Sequence, residues 1–335
     1  MHGNQPSGAG SGERTAELLD AGMVYFDTSA WNALADHRSR EGLIASLRRR
    51  GAIVLASVIS GGEILKTPAA ERRAQLCGVM RELLGDRALL ERPLTIVEAA
   101  ARAVMRGDEN VLLQQTGPGR TLLAYVSHPE EADGDGLAAW LGNLDGNLER
   151  LRAAVEPPQP TTTRYDSPAV LDSDAFLGLL LTLPPAVELG LSLPQVRELC
   201  ERCDVWRALA GSLGVVLHEV LSRSPKRKNG HKRPGASDLW QAVYLGVAEV
   251  FVTGDKRQLE AVSKVSAVLH YPRCVVQASE FFAGLETDGV RTGPRCPVCG
   301  CSLSAAGAGP AGRRVAGSVN AVAKPQAAWS LPCPS

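Results

Sequence analysis

Short unbroken apolar runs alternate along the chain with longer stretches in which apolar residues recur every three or four positions. The first run, MVYF at 23–26, ends abruptly in Asp27, Thr28 and Ser29. A brief continuous apolar run bounded by polar residues predicts a buried strand. AIVLA at 52–56, VFVT at 250–253 and CVVQ at 274–277 read the same way, and runs of this kind suit a parallel sheet covered on both faces. Helical periodicity follows the first two strands. A helix is predicted over 29–35, with Ser29 as its cap, and another over 41–50, with basic residues in its last turn and Gly51 beyond. SVISGGEIL at 57–65 starts at Ser57 and carries Glu63 within its first two turns. Strand, helix, strand, helix is the alternation of an α/β domain.

From about 69 to 213 the rhythm is helical, with predicted helices over 69–84, 95–105, 137–155, 172–183 and 194–213. The stretches 116–119, 130–136 and 156–167 are rich in Gly, Pro, Thr or acids and read as loops. Because the strand pattern resumes afterwards, this middle part is expected to be a large helical insertion rather than a detached domain. Residues 215–221 form an apolar helix or strand, and a helix capped by Ser237 is expected to run through Val247. Another helix is predicted over 255–262, and a short one after the last strand. The expected organisation is a disordered tail over 1–20, one α/β domain over 21–285 interrupted at 69–213, and a disordered tail over 286–335 carrying a cysteine cluster.

Bulk properties narrow the class. The chain has 335 residues, a formal net charge of +0, 44% hydrophobic and 21% charged residues, which is ordinary for a globular protein with a sizeable core. Neutral balance argues against a generally basic nucleic-acid coat, though not against a local basic patch. The opening MHGNQPSGAGSGERT lacks a charged start followed by an apolar core, and the most apolar stretch, 176–183, is too short to span a bilayer. A cytoplasmic protein is expected. The eight cysteines suit reduced thiols or a small metal site better than a disulfide scaffold.

Four acids stand out by position. Asp27 ends the first strand, Glu63 lies early in a helix, Asp238 opens a late helix, and Asp255 follows the third strand. Each alone reads more readily as a helix-starting or solvated acid than as a ligand. Taken together, two strands that each deliver an Asp to one sheet edge predict a ligand site there. Clustered carboxylates repel one another, so such a site calls for a cation. Oxygen-only ligands suit Mg²⁺ or Mn²⁺, which accept substrate phosphate oxygens.

DTSAW after the first strand, SVISGGEIL after the second and PGASDLWQAVYLGVAEVFVTGD near the end together resemble the motifs of PIN-domain ribonucleases. The resemblance covers roughly 21–66 and 214–283. It implies a three-layer α/β/α domain with a central, mostly parallel sheet, in which three or four acids gather Mg²⁺ or Mn²⁺ and RNA is cut by metal-assisted hydrolysis. Asp27, Asp238 and Asp255 are then metal ligands, while Glu63 holds a second metal or orients the water. Ser29 and Thr253 match the family's accessory hydroxyls. Toxin-type members imply an RNA substrate, an antitoxin-like or other protein partner, and a dimer. In small toxins the segment between the second and third acids is much shorter than the one here, which runs from Ile64 to Ser237. A catalytically weak scaffold that binds RNA or a protein through the helical insertion is one alternative. A metal-dependent phosphatase or DNA nuclease on a similar sheet, using the same acids, is another.

Two further clusters remain. Arg223, Lys226, Arg227, Lys228, Lys232 and Arg233 crowd into eleven residues shortly before Asp238, and such a stretch is either a solvated loop or a phosphate-drawing one. His231 in the same stretch is at most a phosphate contact, and His218 reads as a packed or hydrogen-bonded histidine. CPVCGC at 296–301 resembles half of a zinc knuckle, with Cys296 and Cys299 as ligands and Cys200 and Cys203 as candidates to complete four. The C-x-x-C at 200–203 reads otherwise as buried thiols.

Overall fold

In the computed structural model the described residues are 22–85, 87, 89–107, 164–221 and 236–287. Four strands form one sheet: β1 Met23–Phe26, β2 Ile53–Leu55, β3 Val250–Thr253 and β4 Cys274–Gln277, in the order β2-β1-β3-β4, every pair parallel. The protein is therefore α/β. Val24 and Phe26 project to one face of β1 and Tyr25 to the other, and all three are fully buried, as is the whole of β3. Tyr25 stacks on Tyr244 at 4.8 Å and meets Phe251 at 5.1 Å, while Phe26 packs against Trp31, Phe281 and Phe282. Both faces of the central strands are covered, an arrangement compatible with three α/β/α layers.

Strand order positions the site. From β1 the chain steps outward to β2, later re-enters beside β1 at β3, and steps outward the other way to β4. The reversal falls between β1 and β3, and ligands in open α/β sheets bind beyond the carboxyl ends of the strands at that point. Phe26 pairs with Val252, so the next residues, Asp27 and Thr253, are brought side by side. The Asp27 amide donates to the Val252 carbonyl at 3.2 Å.

The helices next to the sheet begin at polar caps. Helix α1, Thr28–Ala35, is capped by Asp27, not by Ser29 as the sequence predicts: the Ala30 amide donates to Asp27 Oδ1 at 2.6 Å. Asp27 leaves the strand in extended backbone, which is the cap conformation, and so is aimed at the helix start. Helix α2 spans Arg40–Arg49 and α3 Val58–Leu65, the latter capped by Ser57. Beyond them lie α4 Ala70–Leu84 and α5 Pro93–Met105, where Pro93 occupies the first turn, the place where a missing N–H costs least.

The middle region departs from prediction at its breaks. The helix expected over 172–183 is instead a 3-10 turn, Pro168–Asp172, followed by α6 Asp174–Leu180 and α7 Pro184–Glu188, because Ser173 caps a new helix through the Phe176 amide. The helix expected over 194–213 is two, α8 Leu193–Arg202 and α9 Asp204–Leu221, separated by an extended Cys203. Helix α9 runs straight through the expected insertion boundary at 213 and includes 215–221. At its start it meets the 3-10 turn Ala242–Gly246, where a side chain on Gly246 would lie 2.5 Å from the Val205 Cα. The predicted late helix is likewise divided into α10 Ala236–Gln241 and that 3-10 turn; α10 starts before Ser237, so Ser237 is not its N-cap. Helix α11 spans Lys256–Ser266 and α12 Ala278–Thr287. Among the described residues no helix is long and apolar enough to cross a membrane. The expected C-terminal tail is corrected at its start, since Glu286 and Thr287 still belong to α12. The expected helix over 137–155, the loops at 116–119 and 130–136, and the expected tails over 1–20 and 288–335 lie outside the described residues.

Candidate functional site

Asp27 is buried, with 2% of its surface exposed, yet it is a carboxylate at the carboxyl edge of the sheet. Three donors surround it. Ser29 Oγ stands 2.8 Å from both carboxylate oxygens, the Ala30 amide 2.6 Å from Oδ1, and Thr253 Oγ1 2.7 Å from Oδ2. Ser29 in turn accepts from the Gly254 amide at 2.6 Å. Burial pushes the Asp27 carboxyl up to about 7 despite these donors, and the negative charge of Asp238 pushes it further in the same direction. The hydrogen-bond count agrees. Thr253 has one proton but faces two oxygen acceptors, Asp27 Oδ2 at 2.7 Å and Gln258 Oε1 at 2.9 Å. A proton kept on Asp27 Oδ2 lets the threonine donate to the glutamine and satisfies both contacts.

The other predicted acids are placed unequally. Asp238 is half-buried in the first turn of α10, and its carbonyl lies 3.5 Å from Gln258 Nε2. Glu63 is half-buried in the second turn of α3 and accepts from the hydroxyl of Thr28, the neighbour of Asp27. Asp255 is exposed and serves its own helix, accepting from the Arg257 amide at 2.7 Å and the Gln258 amide at 3.3 Å as N-cap of α11. Asp27, Ser29 and Thr253 thus meet directly, Asp238 acts on Asp27 through its charge, and Glu63 is joined through Thr28.

Among the described residues no three His, Cys, Asp or Glu side chains converge closely enough to enclose a cation. Mg²⁺ does not require that: it keeps several waters and binds through one or two carboxylates together with substrate phosphates. Asp27 and Asp238 supply two hard oxygen donors. The burial and like-charge penalty on Asp27 is of the kind that a divalent cation relieves. The donor set fits a partly hydrated ion, not a closed protein cage.

Sequence reasoning missed the residues behind the acids. Tyr25, Gln241 and Gln258 are buried; Gln258 is hydrogen-bonded to Thr253 and the Asp238 carbonyl, and Tyr25 to Gln241, three residues after Asp238. A tyrosine inside an apolar strand reads as packing, and a helical glutamine reads as surface, so periodicity alone carried no signal for them. The basic residues Lys226, Arg227, Lys228, Lys232 and Arg233, and His231, lie outside the described residues, as do Cys296 and Cys299. Cys200 and Cys203 are buried free thiols. Burial pushes Cys200 up to about 12 and raises Cys203 as well, which opposes the thiolate form that zinc needs. His218 Nε2 lies 3.6 Å from a buried Asp166 carboxylate oxygen, an ion-pair distance.

Compared with known proteins, the chain matches no family model, no curated protein and no solved structure.

Proposed function

We propose that the chain is a metal-dependent endoribonuclease of the PIN-like type, hydrolysing RNA phosphodiester bonds with Mg²⁺ or Mn²⁺. The observation that carries this reading is a buried carboxylate, Asp27, at the reversal point of a parallel sheet, with its carboxyl pushed up to about 7 and a second carboxylate, Asp238, acting on it. A strongly perturbed acid with a specific charge partner at such a position is a functional-site candidate.

When bound, a divalent cation supplies Lewis acidity and offsets charge on the scissile phosphate. Asp27 and Asp238 would hold it. Ser29, Thr253 and the Ala30 amide fix the Asp27 rotamer, so the carboxylate is already oriented before a ligand arrives. Glu63, held by Thr28, is the acid available to orient an attacking water. The basic residues Lys226, Arg227, Lys228, Lys232 and Arg233, shortly before Asp238 in sequence, supply positive charge that attracts an RNA backbone. A binding scaffold without catalysis is the second reading, and the exposed Asp255, which serves as the cap of α11 instead of joining the inner acids, favours it.

Incubating the purified chain with single-stranded RNA in Mn²⁺ or Mg²⁺, beside EDTA and Asp27→Asn controls, separates the two. Cutting that needs metal and is lost in the variant supports the nuclease. RNA binding without cutting under either metal supports the scaffold.

A further inference from the structure

Behind the acids lies a buried hydroxyl that touches every element carrying one of the three inner carboxylates. Tyr25 Oη is 2.9 Å from Ser57 Oγ and 3.2 Å from Ser60 Oγ, and it donates to Gln241 Oε1 at 3.1 Å. A phenol has one proton to give and two lone pairs to fill. The glutamine oxygen takes the proton and the two serines fill the lone pairs, so the group is saturated. All four residues are at most 1% exposed.

Their positions give the cluster its meaning. Tyr25 is two residues before Asp27 and points to the same side of β1. Ser60 is three residues before Glu63 on α3, and Gln241 three after Asp238 on α10, each one turn from its acid and on the same helix face. Ser57 caps α3 through the Ser60 amide at 3.2 Å, which leaves its hydroxyl proton for Tyr25. One oxygen therefore joins β1, α3 and α10. Packing does not require it: a phenylalanine would stack on Tyr244 and Phe251 equally well. Buried polar networks that are fully satisfied fix a single arrangement of the elements they join.

We propose that Tyr25 is a positioning residue for the acidic site, its hydroxyl setting where Glu63 and Asp238 stand relative to Asp27. The inference rests on the reading that these acids hold a cation.

The test compares the wild type, Tyr25→Phe, and the double variant Tyr25→Phe/Gln241→Leu, by Mn²⁺ calorimetry, thermal melting and hydrogen exchange of 58–65 and 236–246. Tyr25→Phe is expected to lower Mn²⁺ affinity about tenfold, the usual effect of removing a group that orients ligands, and to speed exchange in both segments. The double variant removes the glutamine oxygen left without its donor, so its melting temperature recovers toward wild type while the affinity does not. Wild-type affinity in Tyr25→Phe, or affinity recovering with stability in the double variant, would make Tyr25 a packing residue and overturn the proposal. A wild-type chain that binds no Mn²⁺ would overturn the cation reading itself, and the positioning role with it.

Discussion

Thr253 Oγ1 stands 2.7 Å from Asp27 Oδ2, joining the ends of two adjacent strands across 226 positions of sequence. The contact follows from register, since Phe26 pairs with Val252 and the next residue of each strand must be a neighbour. It places a carboxyl pushed up to about 7 where the strand order reverses.

Asp27 titration should shape stability. Its folded value lies above the ordinary 3.8, so between about pH 4 and 7 the folded chain keeps a proton that the unfolded chain has lost. Stability from this group is then fully present below pH 4 and falls as pH rises through 7, by an amount on the order of a few kcal/mol. Asp27→Asn retains a capping side chain and removes the titration. In metal-free buffer, urea melts of the two proteins should diverge with rising pH, the variant becoming relatively more stable. Parallel pH curves would contradict the burial account of Asp27.

Asp255 is expected to behave differently. Its side chain caps α11 from an exposed position, so Asp255→Ala should lose about 1 kcal/mol of stability while Asp255→Asn loses little. If Asp255→Asn also abolishes RNA cutting, as the sequence motif implies, the acid has a ligand role beyond its cap.

Gly246 marks the close approach of the Ala242–Gly246 turn to the start of α9. A Cβ there would meet the Val205 Cα at 2.5 Å and its backbone nitrogen at 2.6 Å, atoms that cannot rotate away. Gly246→Ala should cost about 1–3 kcal/mol through overpacking, read as a lowered melting temperature. A neutral substitution would mean that α9 moves freely against the turn.

The strands, their parallel character and the delivery of Asp27 to the sheet edge were legible in the sequence because unbroken apolar runs ending in polar residues carry that information. The contact of Asp27 with Thr253 depends on a strand register that the sequence did not show. Helix breaks were less so. Periodicity continues across Cys203 and Ser173, where an extended residue or a local cap divides the helix. The cap of α1 was misassigned to Ser29 because Asp27, two residues earlier, was read as a ligand alone; it is also the cap. Tyr25, Gln241 and Gln258 stayed hidden because their roles depend on which elements the topology brings together, and single-chain spacing does not encode that.

The basic stretch before Asp238 has a salt signature. Neutralising Lys226, Arg227 and Lys228 should weaken RNA binding and reduce the slope of log K against log salt by roughly 2, the value for three contacts to single-stranded phosphates. An unchanged slope would return the stretch to an ordinary solvated role.

The most direct test of the cation site is the proton that Asp27 must give up. Mn²⁺ titrations at pH 6, by calorimetry in two buffers of different ionisation enthalpy, count the protons released on binding. With Asp27 near 7, wild type should release close to one proton per bound ion at pH 6 and almost none at pH 8.5. Asp27→Asn should bind far more weakly and release none. Absence of Mn²⁺ binding in the wild type, or binding unchanged by Asp27→Asn, would contradict the assignment of this carboxylate as the centre of the site.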